Sequence, residues 1–144
     1  MRYIVFVKLS GQGADDYEHG KLPSQAEISR MLTYNQALAE AGIMQGGDGL
    51  HPTTNAINVA FGDANPVVSD GPFAEAKEVV GGFWLWNVAS REEAIEWASR
   101  CPLNPGDALE LRQIFELEDF GDVIGPAEAA QIKDVEAKMS AANA

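Results

Sequence analysis

Residues 2–9, RYIVFVKL, alternate as a strand does, yet both sides are apolar: Tyr3, Val5, Val7 and Leu9 on one, Ile4 and Phe6 on the other. Residues 82–89, GFWLWNVA, do the same, with Trp84, Trp86 and Val88 opposite Phe83 and Leu85. A sheet built from such strands has to be covered on both faces, because apolar area left in water forfeits the main favourable contribution to folding. This constrains the chain more than anything else in it, since one layer of helices covers one face.

The remaining segments say which layer is available. PSQAE at 23–27 opens a helix, with Ser24 as N-cap and Glu27 three residues on as its reciprocal partner. Ile28, Met31, Leu32, Leu38 and Ala39 fall near one stripe, and Gly42 stands where a helix ends. Ser90 and Glu93 repeat the capping signal before a second helix, in which Ala94, Trp97, Ala98 and Cys101 recur at helical spacing until Pro102. The segment between Gly11 and Gly20 reads as a loop. Ile43 to Leu50 is a strand interrupted by Gly46, Gly47 and Gly49, while Thr54 to Phe61 and Val67 to Ser69 pair across GDANP as an inserted hairpin. Ala108 to Leu117 is the last strand, with Leu109, Leu111, Phe115 and Leu117 on its apolar side. Pro126 opens a terminal helix with a thin stripe of Ile132, Val135 and Met139.

The order strand, helix, strand, hairpin, strand, helix, strand predicts a ferredoxin-like α+β fold, βαββαβ, with right-handed crossovers and both helices on one face of a four-stranded antiparallel sheet. The other face then calls for a second copy, giving a homodimer packed sheet to sheet as an α+β barrel with an interior cavity between sheet and inserted hairpin. Residues 1–120 form this domain and 121–144 a C-terminal helical extension.

Composition narrows the partners. Ten Lys and Arg against 22 Asp and Glu leave a net charge of −12, which repels nucleic acid and anionic membrane and suits a neutral to basic ligand. The lone Cys101 forms no intrachain disulfide, and Tyr3 to Val7 is too short for a signal or membrane segment, so the expected location is cytoplasmic. His19 and His51 lie outside any metal-ligand spacing, so neither metal nor cofactor is expected.

The turn SDGPF at 69–73 is more elaborate than a hairpin needs. Asp70 is placed to accept backbone N–H groups in an Asx-turn, Gly71 allows unusual backbone geometry, and Pro72 fixes φ. Phe73 is thereby aimed in one direction, either into the core or at the rim of a ligand cavity with Asp70, Glu75 and Lys77.

With DGPFAEAKEVVGGFWLWNV at 70–88 and REEAIEWASRCP at 91–102, the chain from Met1 to about Phe120 resembles the DGPF subgroup of the YCII-related family. The resemblance implies a dimeric α+β barrel. Some relatives carry a His on the first long helix and an Asp that together resemble an acid–base pair, and one branch eliminates chloride from a hydroxylated aromatic ring. Here Arg30 stands where that His would lie, and Cys101-Pro102 where those relatives often have Asp-Pro. The catalytic roles are therefore not carried over.

The leading expectation is a protein that binds a small organic, possibly aromatic, molecule, with cofactor-free elimination or isomerisation as the chemistry it could add. Candidate ligand-binding residues are Asp70, Phe73, Glu75, Lys77, His51 and Arg30. Asp48 lies three residues before His51 in the same loop, close enough in sequence to form an acid–base pair. Cys101 on an apolar helix face reads as a core residue, not a nucleophile. The alternative is a non-catalytic accessory or regulatory protein, since DGPF relatives are often encoded beside extracytoplasmic-function sigma factors.

Overall fold

The computed structural model describes residues 1–73 and 78–144, in two units, Met1–Ile114 and Phe115–Ala144. In the first, strands β1 (Arg2–Ser10), β2 (Met44–Gly49), β5 (Glu78–Asn87) and β6 (Ala108–Gln113) form an antiparallel sheet in the order β2-β5-β1-β6. Helices α2 (Gln25–Glu40) and α3 (Arg91–Ser99) are the two crossovers. This is the ferredoxin-like α+β plan. Strands β3 (Ile57–Ala60) and β4 (Val67–Asp70) pair with each other as a separate two-stranded ribbon between β2 and β5.

Sequence periodicity decides which face the helices take. Tyr3 and Val5 of β1, Trp84 and Trp86 of β5, Tyr34 and Leu38 of α2 and Ala94 of α3 form one buried cluster. Val5, Leu38 and Trp86 are completely buried. Tyr34 meets Trp84 edge-on at 5.8 Å, an arrangement that suits the ring quadrupoles. Trp84 Nε1 donates to Asn35 Oδ1 at 2.9 Å and the Tyr34 hydroxyl to the Trp97 carbonyl at 2.7 Å, so these rings enter the core with their polar tips satisfied.

The helices start where the capping residues stand. Ser24 Oγ accepts from Glu27 N–H at 3.2 Å while Glu27 accepts from Ser24 N–H at 2.7 Å. Ser90 caps α3 in the same way at 3.1 Å, but Glu93 reaches one residue further back, to Ala89 N–H.

Three local expectations need correction. Gly11–Glu18 is a helix, α1, not a loop. No side chain of its own caps it; Asp107, from the lead-in to β6, accepts from Ser10 N–H at 3.3 Å and supplies negative charge at the helix start. The hairpin's first strand begins at Ile57, because Thr53–Asn55 tighten into a 3₁₀ turn. The last strand ends at Gln113, and Phe115 and Leu117 belong to the second unit.

That unit holds a 3₁₀ segment, Leu117–Val123, and helix α4, Pro126–Ala142. Phe115 packs on Phe120 at 5.0 Å, and Glu116 N–H donates to Asp119 at 2.7 Å. Among the described residues no helix is long and apolar enough to cross a membrane.

Candidate functional site

Around the DGPF turn, α1 holds the chain in place. The Tyr17 hydroxyl donates to the carbonyls of Leu50 and His51 at 2.7 and 2.9 Å. The Glu18 carboxylate accepts from Thr53 N–H at 3.0 Å and also from the Thr53 hydroxyl. Partial burial, with the Glu18 charge adding, pushes the Tyr17 phenol above its ordinary range. The turn at 70–71 then closes on the one at 53–56: Gly71 N–H donates to the Ala56 carbonyl at 2.8 Å. A Cβ on Gly71 would lie 1.7 Å from the Thr53 carbonyl oxygen, so the glycine is required by space and not by a left-handed backbone. The Gly71-Pro72 bond is cis.

At Gly81 a second glycine has a similar role. The register of β5 against β1 slips by one residue between Val7 and Lys8, leaving Gly81 as a bulge. A side chain there would press on Leu9 at 3.0 Å and on the Tyr17 ring at 3.8 Å. At Gly82 a Cβ would instead meet the Asp48 carbonyl oxygen of β2 at 3.0 Å, so the Gly-Gly pair allows close packing against Leu9 on one side and β2 on the other.

The candidates read from sequence fall in different places. Asp70 ends β4 opposite Ile57, and its carboxylate makes no hydrogen bond among the described residues, so the expected Asx-turn is absent. Phe73 is 40% exposed. Glu75 and Lys77 lie outside the described residues. The main chain of His51 is held by Tyr17 within the same corner as Gly71. Asp48 lies on β2 opposite Phe83, with no contact to the His51 ring among the described residues. Arg30 is exposed on α2, with Glu27 as its nearby charge. His19, at the end of α1, bonds through Nδ1 to the Asp15 carbonyl at 2.7 Å, and that bond with the Asp15 charge raises its pKa. The structure thus brings the 70–71 turn and the His51 loop to one corner, while Arg30 makes no contact with that corner among the described residues.

Sequence reasoning singled out neither of two concave features. A cleft of about 600 Å³ lies between α3 and β6. Ala94, Ile95, Ala98, Leu103, Leu109 and Leu111 make its apolar walls, and Tyr3, Arg91, Ser99, Cys101, Asn104 and Asp107 its polar ones. Asp70, Phe73, His51 and Arg30 do not line it. Burial pushes the Cys101 thiol up to about 12, so it is a neutral, weakly polar wall group at physiological pH and a poor nucleophile. A second recess, of about 250 Å³, lies on the helix-free face beside Phe6, Val80 and Lys8. There the Lys8 ammonium sits between Glu78 at 3.0 Å and Glu110 at 3.5 Å. Its hydrogen bond to Glu78 and the charge of that carboxylate, with Glu110 adding, hold it above the usual lysine range, so it is a fixed cation and no proton acceptor. Among the described residues no three of His, Cys, Asp and Glu converge as a metal site.

Split βαβ topology, paired crossover helices and a lateral cleft define an α+β sandwich protein whose site features carry no metal cluster among the described residues. The chain belongs to the YCII-related family: the YCII-related domain matches residues 1–118. It is also 42% identical over 59 residues to an uncharacterized protein of Rhizobium meliloti (strain 1021), an alignment covering 41% of this chain. The match spans about half the length of that relative, 48%.

Proposed function

We propose that this protein binds a small organic molecule in the cleft between α3 and β6, and that it does so as a homodimer. The observation that carries the binding reading is the cleft itself. Its volume, about 600 Å³, lies within the range of roughly 300–1,000 Å³ usual for small-molecule sites, and its walls are apolar with a few polar groups among them. Aliphatic walls of this kind suit an apolar or aromatic body. The polar groups favour binding over chemistry: a phenol, a neutral thiol, a guanidinium and a carboxylate already engaged at the start of α1 make no acid–base pair.

Support for the dimer comes from apolar surface. Ile57, Val59, Phe61, Val67 and Val68 of the hairpin region are 46–82% exposed, and Ile4, Phe6, Phe83 and Leu85 on the helix-free face are half-buried. A hairpin exposed this far gains little by folding alone, whereas a second copy offers an apolar face of matching kind.

A second reading, cofactor-free elimination or isomerisation, has its support at the other corner, where the 70–71 turn meets the His51 loop. An accessory or regulatory role is served by the same ligand cleft without any reaction.

Titration of the full chain with a library of small aromatic and aliphatic compounds, followed by amide NMR, tests the binding reading. Shifts should cluster at Ala94, Ala98, Leu109 and Leu111; hits that cluster elsewhere, or none, overturn it. Sedimentation at micromolar concentration should give twice the chain mass, and a monomer there removes the dimer.

A further inference from the structure

The polar groups of the cleft differ in whether their hydrogen-bonding capacity is already used. The Ser99 hydroxyl donates to the Ile95 carbonyl at 2.7 Å. Asn104 is hydrogen-bonded to Glu27, and one oxygen of Asp107 is engaged by Ser10 N–H at 3.3 Å. The donors that remain are the Arg91 guanidinium and the Tyr3 hydroxyl, with the second Asp107 oxygen left as an acceptor. The Arg91 guanidinium lines the cleft with no ion pair or hydrogen bond among the described residues; Arg112 and Lys133 are likewise without one, but they do not line the cleft. Its position also runs against local electrostatics: Arg91 is the first residue of α3, at the end where the helix dipole disfavours a cation.

The second observation is at the inner wall. Tyr3 is 8% exposed and lines the cleft, yet its hydroxyl has no hydrogen-bond partner among the described residues. The hydroxyl is open to the cleft: among the described residues the buried side-chain polar atom without a partner is Trp86 Nε1, not the Tyr3 oxygen. An acceptor arriving in the cleft would meet a free phenol O–H and a planar fork of guanidinium N–H donors, and the fork matches a carboxylate.

We propose that the ligand of this cleft is a small carboxylic acid with an apolar body. Its carboxylate sits on Arg91, its body lies between the Ala94 and Ala98 side of α3 and the Leu109 and Leu111 side of β6, and a further acceptor on it takes the Tyr3 hydroxyl. This rests on the small-molecule reading above. It reverses the preference suggested by net charge, because charges further away than about 8 Å are largely screened at physiological salt and a contacting guanidinium is not.

Benzoate, benzamide and benzylamine, titrated into the full chain and followed at the amides of Ala94, Ala98, Leu109 and Leu111, separate the possibilities. Benzoate should bind at least about 10-fold tighter than benzamide, as a charge-assisted hydrogen-bonded pair implies. R91Q should remove about that factor for benzoate and leave benzamide unchanged. Because Arg91 is exposed on the first turn, R91Q should melt like the parent chain, so lost binding is not lost folding. Salicylate, whose hydroxyl adds a second acceptor, should lose affinity in Y3F while benzoate does not. Equal binding of benzoate and benzamide at these amides, or benzoate binding unaffected by R91Q, overturns the acid preference and leaves the cleft as a binding site. Absence of any shift there with all these probes overturns both readings.

Discussion

Two regions of the first unit carry similar amounts of apolar sequence and have opposite fates. Between the sheet and its two helices, Trp86, Leu38 and Val5 lose all contact with water. In the β3–β4 hairpin, every residue of both strands stays exposed, Ile57 at 68% and Val67 at 65%. The first region is stabilised by burial; the second is held by its ladder and by backbone bonds at its root. Apolar sequence therefore does not by itself say where the core is. What differs is whether the chain supplies its own covering layer.

The largest expected effect breaks the buried side. Trp86→Ala removes a fully buried indole and should cost about 3–5 kcal/mol in urea unfolding; a loss below about 1 kcal/mol would mean that the helix-side core is not where stability resides. Next comes the root of the hairpin. Gly71→Ala forces a Cβ against the Thr53 carbonyl and should cost about 1–3 kcal/mol, with amide shifts spreading through 50–60 and not into α2.

Smaller again is the helix cap on the buried side. Ser24→Ala should cost about 1 kcal/mol. Its partner Glu27 is held below its ordinary value of 4.5, chiefly by the backbone hydrogen bond from Ser24. A depressed carboxylate contributes stability above its unfolded value and loses it as pH falls through the folded one. The unfolding midpoint should therefore drop on acidification below that value by less in Glu27→Gln than in the parent chain. The smallest effect belongs to the exposed side: Phe61→Ser, at a residue 82% exposed, should change monomer stability by less than about 0.5 kcal/mol. If the proposed dimer uses the hairpin, the same variant should weaken self-association measured by sedimentation.

Much of the architecture was legible because its signals are local. Both crossover helices begin at a serine followed three residues on by a glutamate, and the sheet strands alternate as pleated strands must. Helix α1 escaped for the opposite reason. GQGADDYE opens with glycines and no capping side chain, and the carboxylate at its start comes from Asp107, 97 residues away from Ser10. Likewise Gly71 was recognisable as necessary, but the reason, a carbonyl 18 residues earlier, was not. The cleft was hidden in the stripe of Ala94, Ala98, Leu109 and Leu111, which reads as core on either side of it. The available signal was size: two alanines one turn apart leave room that larger side chains would fill. Arg91 drew no notice because a sequence does not show which cations lack partners.

Helix α1 connects places that the chain order keeps apart. The residue at its N-cap position, Ser10, is held by a carboxylate that also lines the cleft, and its last two residues grip the strand-to-hairpin loop through Tyr17 and Glu18. Eight residues thus work as a strut between the cleft wall and the base of the outstretched ribbon. Shortening that strut would free the ribbon's base while leaving the four-stranded sheet intact.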